Sequence, residues 1–194
     1  MAAAASGGGT WRAMAAGDLA EVLKLAAVIH PDYPEDAAVF AERLGLYPQG
    51  CMVLETPAAA GDDPGGDAGG RLGGYLVSHP WTAGAPPALD SLLGALPPFP
   101  ALYYLHDLAL LPVARGTGAA RAAVARAAAV AAQAGLDCLG LVAVNGAAAF
   151  WRRCGFASSP DAALQAAARK YDATASYMTR AVAAPEHAVA RGQK

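Results

Sequence analysis

Charge is scarce in this 194-residue chain: 15% of its residues are charged, and the formal net charge is -2. Without an overall basic field, the chain is not expected to bind nucleic acid through counterion release at a phosphate backbone. Cysteine is scarce as well. Cys51, Cys138 and Cys154 lie far apart, with no C-x-x-C pair and no Cys/His cluster at metal-ligand spacing, so no metal centre is expected. They read as reduced thiols, at least two of them buried in a core. The start MAAAASGGGT has neither a basic segment nor an apolar run of signal-peptide form, and Arg, Gly or Pro breaks every apolar stretch before bilayer length. These absences predict a soluble, cytoplasmic protein that does not use a membrane. An organelle transit segment is the alternative, although the start carries only Arg12.

What is present is small and apolar. Hydrophobic residues make up 55% of the chain and roughly a quarter of all residues are alanine, so the core is shallower than the percentage suggests, yet deep enough to exclude disorder throughout. One domain over residues 10–182 is expected, with short tails at 1–9 and 183–194. Asp18-Leu19-Ala20-Glu21 has the form of a capping box opening a helix, which His30-Pro31 ends. Residues 35–46 repeat the helical spacing, with Val39, Phe40, Leu44 and Leu46 on one face. Strands are expected at Thr10 to Ala15, Cys51 to Glu55, Leu72 to Ser78, Ala101 to Leu111, Cys138 to Val144 and within Tyr171 to Val182. Gly118 to Ala134 and Ala147 to Arg153 read as helices, and Asp161 to Lys170 as a weak helix or loop. Residues 58–70, rich in Gly, Asp and Ala, read as a mobile hairpin loop. The Pro-rich stretch 80–100 surrounds the apolar Leu89-Asp90-Ser91-Leu92-Leu93 and is expected to fold over the body of the domain as a short helix or a wall of the site.

One stretch points to chemistry. A strand, a proline, then Arg115-Gly116-Thr117-Gly118-Ala119-Ala120 and a helix follow without a gap. Glycines let a ligand approach the backbone, and unpaired amides at the positive end of a helix suit a phosphate or pyrophosphate. The G-x-x-x-x-G-K-[ST] motif is absent, and the dinucleotide fingerprint is incomplete here.

At these residues the sequence resembles the GNAT N-acetyltransferase superfamily, over about Thr10 to Val182. Leu108 to Ala120 is similar to that family's acetyl-CoA motif, Q/R-x-x-G-x-G/A after a strand. Asn145-Gly-Ala-Ala-Ala-Phe150-Trp151, continuing to Gly155-Phe156, is similar to its second motif. The resemblance implies a single-domain α/β (α+β) fold around a mixed, mostly antiparallel sheet flanked by helices. It also implies acetyl-CoA as cosubstrate, with no metal. By position, the backbone of Arg115, Gly116, Gly118, Ala119 and Ala120 would hold the pyrophosphate, Leu108 and Leu110 would pair with pantetheine, and Asn145 and Trp151 would face the cofactor.

The sequence departs from the family where many members have a tyrosine as the second residue of the aromatic pair. Here Phe150 is followed by Trp151, whose indole N–H cannot protonate a leaving thiolate. Tyr177 is the expected substitute, with Tyr171, Tyr103, Tyr104 or solvent as alternatives. For the proton acceptor, His106 and Asp107 stand on the strand before the loop, and alternation would put them on opposite faces, so at most one enters the cleft directly. His79 is a third candidate. Each of the three has a structural reading beside the catalytic one, as a packed histidine or a buried hydrogen-bond partner. Arg152 and Arg153 read as a solvated face or as contacts to the cofactor's 3'-phosphate.

The expected activity is acetyl transfer from acetyl-CoA to a primary amine by direct attack in a ternary complex. The expected acceptor is a small molecule, since a Pro-rich insertion over the cleft disfavours a peptide. The alternatives are an N-terminal or lysine acetyltransferase and a non-catalytic acyl-CoA-binding module. The acceptor's identity, the acyl chain length and the assembly state, with a homodimer among the options, do not follow from one chain.

Overall fold

The computed structural model describes residues 9–57 and 71–182. The expected tails and the hairpin loop 58–70 lie outside the described residues, apart from Gly9. The chain runs β1 (Thr10–Ala13), α1 (Leu19–Ile29), α2 (Ala37–Leu46), β2 (Cys51–Thr56), β3 (Arg71–Trp81), β4 (Leu102–Leu110), α3 (Ala119–Gln133), β5 (Cys138–Ala143), α4 (Ala148–Arg153), β6 (Ala157–Ser158), α5 (Ala162–Ala168) and β7 (Ser176–Ala181). All seven strands join one sheet in the order β1-β2-β3-β4-β5-β7-β6, antiparallel throughout except for the parallel pair β4 and β5. This is the mixed, mostly antiparallel sheet that the sequence predicts.

Strand alternation distributes the core. On β2 and β3, Met52, Leu54 and Leu76 face α3, whose small Ala123, Val124 and Ala127 allow close approach. Cys51, Val53, Tyr75 and Val77 face α1 and α2, against Val22, Leu25 and Phe40. Burying each of the larger apolar side chains stabilises the fold by about 1.5–3 kcal/mol. A third cluster lies under α5, where Leu102, Tyr104 and Tyr177 meet Ala168. Thus α3 and α4 cover one face of the sheet, and α1, α2 and α5 the other. Cys51 and Cys154 are buried and Cys138 half-buried, all as free thiols.

Two local expectations are corrected. The capping box at Asp18 does not form: the carboxylate instead holds Arg12 at 2.7 and 2.8 Å and accepts from the Ala15 amide, while Glu21 pairs with Lys24. A guanidinium offering two parallel bonds outcompetes a single helix amide. The true helix caps are Asp36, which accepts from Ala38 N, and Asp161, which accepts from Ala163 N and Leu164 N and so makes α5 a definite helix. Residues 82–101 contain no helix. Their prolines lack amide donors, and the segment is held from outside: Glu42 accepts from Leu93 N and Gly94 N, Arg43 donates to Ser91 O, and Trp81 Nε1 donates to Ala85 O.

Candidate active site

The parallel pair β4–β5 shares only two registered positions, Tyr103 with Leu139 and Tyr104 with Gly140. Beyond Tyr104 the strands part, and a cavity of about 970 Å³, counted out to its open mouth, fills the wedge. Opposite Val77 and Ser78 the β4 register slips by one, so that Asp107 pairs with Val77 and Leu105 with Ser78, leaving His106 as the extra residue of a bulge. Before the bulge the even positions Leu102 and Tyr104 face the α5 side, and after it Ala109 faces the α1–α2 side of the same sheet surface. The bulge switches the parity. His106 and Asp107 therefore both line the cavity, which corrects the expectation that alternation would separate them.

Each is paired with a residue from the α1–α2 region. His30 Nε2 lies 3.2 Å from Asp107 Oδ1, within ion-pair reach although the ring N–H is out of line for a hydrogen bond. The fully buried Tyr75 donates its hydroxyl to Asp107 Oδ2. Burial opposes a proton on His30, but the adjacent Asp107 carboxylate outweighs it, and the His30 pKa is raised. His106 Nε2 lies 2.9 Å from Glu35 Oε2, and these side chains are only 7% and 6% exposed, against 22% and 17% for His30 and Asp107. Two imidazole–carboxylate pairs thus stand at one cavity, of which His30–Asp107 is the more open.

The far wall is closed by the α1–α2 loop. Tyr33 donates to Asp172 Oδ2 at 2.6 Å, and the same carboxylate oxygen accepts from Asn145 N at 3.1 Å. These bonds hold the Asp172 pKa below its ordinary value, the Tyr33 contact contributing most. Asn145 has φ +51, a conformation that asparagine tolerates. Leu89 of the Pro-rich segment also lines this cavity, so the expectation of a wall holds without the helix. Tyr171 lines it too and donates its hydroxyl to Pro87 O.

A second cavity adjoins the first, sharing Leu108 and Phe150. It is lined by Leu110, Arg115, Gly116, Gly118, Ala120, Arg121 and Arg153. Gly116 and Gly118 have φ +77 and +91, and a Cβ at either would meet nothing within 4 Å. That open space lies beside the first turn of α3, whose amides before Ala122 have no carbonyl one turn back to bond. With three guanidinium groups around it, this cavity fits a phosphorylated ligand.

Of the residues expected at a cofactor, Leu108, Leu110, Arg115, Gly116, Gly118 and Ala120 line the second cavity. Ala119 does not: its side chain is buried, and its carbonyl accepts from Trp11 Nε1 at 3.0 Å. Asn145 and Trp151 line the first cavity instead, and Phe150 is the aromatic residue that borders both. Trp151 packs edge-on against Phe150 and Phe156. Tyr177, expected as an acid, lines neither cavity. It is 1% exposed, close under Gly140, and burial pushes its pKa up to about 12. His79 is likewise buried among Trp81, Tyr104 and His106, and burial lowers its pKa to about 3. Sequence reasoning missed His30, Tyr33 and Glu35 as cavity residues, whereas Tyr75, one of the aromatics that could line an acceptor slot, supports Asp107 instead. His30 read only as a helix stop, and Glu35 only as the start of the helical stretch 35–46.

A sheet split at its single parallel pair, with a glycine-opened helix at the split, defines an acyl-CoA-using architecture. The acetyltransferase (GNAT) family model matches residues 27–156, and the chain belongs to that family of acetyl-CoA-dependent N-acetyltransferases. No curated protein matches the chain in sequence. Among solved structures, the fold is similar to the loading GNATL domain of CurA from Lyngbya majuscula, with TM-score 0.69, 13% identity, and coverage of 89% of this chain and 97% of that one. It is also similar to Ard1 from Thermoplasma volcanium, with TM-score 0.62, 15% identity, and coverage of 91% and 99%. A third similar structure is Rv2747 from Mycobacterium tuberculosis in complex with CoA and NLQ, with TM-score 0.60, 15% identity, and coverage of 90% and 99%. Among the described residues no helix is long and apolar enough to cross a membrane.

Proposed function

We propose that the chain transfers the acetyl group of acetyl-CoA to the primary amine of a small molecule, by direct attack in a ternary complex, with His30 as proton acceptor and Asp107 as its partner. The observation that carries this reading is the His30–Asp107 pair in the cavity at the β4–β5 split. Acetyl-CoA supplies the activated acetyl group. Its diphosphate would lie over Gly116, Gly118 and the α3 amides, and its pantetheine arm would run along the β4 backbone at Leu108 and Leu110, toward Phe150 where the two cavities meet.

An ammonium must lose a proton to become a nucleophilic amine, and an imidazole suits that work. Asp107 stabilises the imidazolium that results, and Tyr75 holds the carboxylate in place. His106, nearly enclosed with Glu35, orients the wall rather than meeting the acceptor. The leaving thiolate takes its proton from solvent, because Tyr33 and Tyr171 give theirs to Asp172 and Pro87 O, and the third cavity tyrosine, Tyr104, is buried against Tyr171 with its pKa raised by burial. A small acceptor is favoured because Leu89 of the Pro-rich segment and the bonded Tyr33 wall the cavity.

The test is a pH–rate profile of the wild type and His30→Ala with any accepted amine. The wild-type kcat/KM should rise through a pKa above 6.5. His30→Ala should lose that limb and about 10²–10⁴-fold in rate, with coenzyme A affinity unchanged. An unaltered profile in the variant would remove His30 from the reaction.

A further inference from the structure

The two adjoining cavities have opposite electrostatic character, and the contrast constrains the acceptor. Arg115, Arg121 and Arg153 line the cavity at the glycine loop, with no carboxylate among the described lining residues. Glu35 and Asp107 line the cavity at the strand split, with no lysine or arginine among the described lining residues. The nearby cation Arg43 does not compensate: it is 1% exposed and engaged by Glu42 and Ser91 O. Apart from the two imidazole–carboxylate pairs the walls are largely apolar, formed by Leu89, Leu105, Leu141, Val142, Val144 and Phe150.

From this pairing we infer that the acceptor is a primary amine on an apolar, uncharged body, and that amines bearing a carboxylate or phosphate are rejected. The inference rests on the proposed acetyl transfer and narrows its substrate class. An ammonium group entering from water meets Asp107, the more open of the two carboxylates, with the enclosed Glu35 behind it. The body behind it meets hydrocarbon, and an anionic substituent there would be desolvated among walls that offer no lysine or arginine to pair with it, the imidazoles facing their own carboxylates. In the reaction the free amine nitrogen forms a bond to the thioester carbonyl carbon, and the carbon–sulfur bond breaks. His30 takes the proton that turns the bound ammonium into this free amine and returns it to solvent, the second nitrogen proton is lost to solvent as the amide forms, the sulfur leaves as thiolate and is protonated by solvent, and the products are the amide and coenzyme A.

The experiment compares acceptors of one shape and nearly equal amine basicity: 2-phenylethylamine, 4-(2-aminoethyl)benzamide and 4-(2-aminoethyl)benzoate. Spermidine and a peptide with a free N-terminus are run beside them. The expected result is a kcat/KM for the first two at least about a hundredfold above the benzoate. Leu89→Arg, a change on an exposed, irregular segment that places a cation at the cavity, should narrow the gap about tenfold by raising the benzoate. Use of the benzoate within about threefold of the benzamide overturns the inference and leaves acetyl transfer standing. So does turnover confined to spermidine or the peptide. No turnover of any acceptor by protein that binds coenzyme A overturns the proposed transfer together with the inference.

Discussion

Lowering the pH from 7 to 5 should destabilise the fold by about 2 kcal/mol through His79 alone. This ring is 1% exposed, its Nδ1 lies 3.0 Å from Pro80 O, and its Nε2 has no partner. Burial lowers its pKa from 6.5 to about 3. The unfolded chain therefore takes up a proton between those values that the folded chain refuses, and stability falls as pH drops below 6.5. Integrated from pH 7 to pH 5, that difference costs about 2 kcal/mol. Other groups do not mimic it. The raised pKa of His30 acts in the opposite sense, its stabilising proton being present below 6.5 and lost above. The lowered carboxylates Asp18, Glu42 and Asp172 contribute stability that is lost only as pH falls through and below the ordinary carboxylate range. Urea unfolding followed by tryptophan fluorescence at the two pH values, in the wild type and His79→Leu, isolates the effect. His30 and the carboxylates are common to both proteins and cancel in the difference. The wild type should lose about 2 kcal/mol more than the variant. Equal losses in the two proteins would refute a neutral, enclosed His79.

Two further predictions follow from glycines. Gly118→Trp places a large side chain in the open space beside the α3 amides, so coenzyme A affinity measured by calorimetry should fall at least about tenfold, and unchanged affinity would remove the phosphate role of this loop. Gly140→Ala brings a Cβ to 2.8 Å from the Tyr177 hydroxyl and 3.2 Å from Leu102 Cδ1, which should cost about 1–3 kcal/mol in urea unfolding. Much of that cost should vanish in a Tyr177→Phe background, whereas strictly additive losses would show that the two residues do not meet.

The element order, the glycine loop and the second motif were legible in the sequence because each depends on residues close together along the chain. Alternation in β2 and β3, the alanine-rich α3 and the proline that ends β4 all act within one strand or one helix turn. The family resemblance at Arg115 to Ala120 and Asn145 to Phe156 rests on such local strings. The misread points were contests that local strings do not report. Asp18 looks like a helix cap until Arg12 of β1 arrives beside it, and His30 looks like a helix stop until Asp107, 77 positions later, lies beside its ring.

The sequence by itself determined the element order, the family resemblance that implies the mixed sheet, and the strand that carries His106 and Asp107. Only the tertiary structure decided which groups those two residues meet. A single bulge opposite Val77 and Ser78 turned both toward one cavity, and the α1–α2 region, 71 to 77 residues earlier, supplied Glu35 and His30 to face them. The physical reason is that proton affinity and ligand charge preference depend on burial and on neighbours within a few ångströms, and the fold draws those neighbours from distant segments.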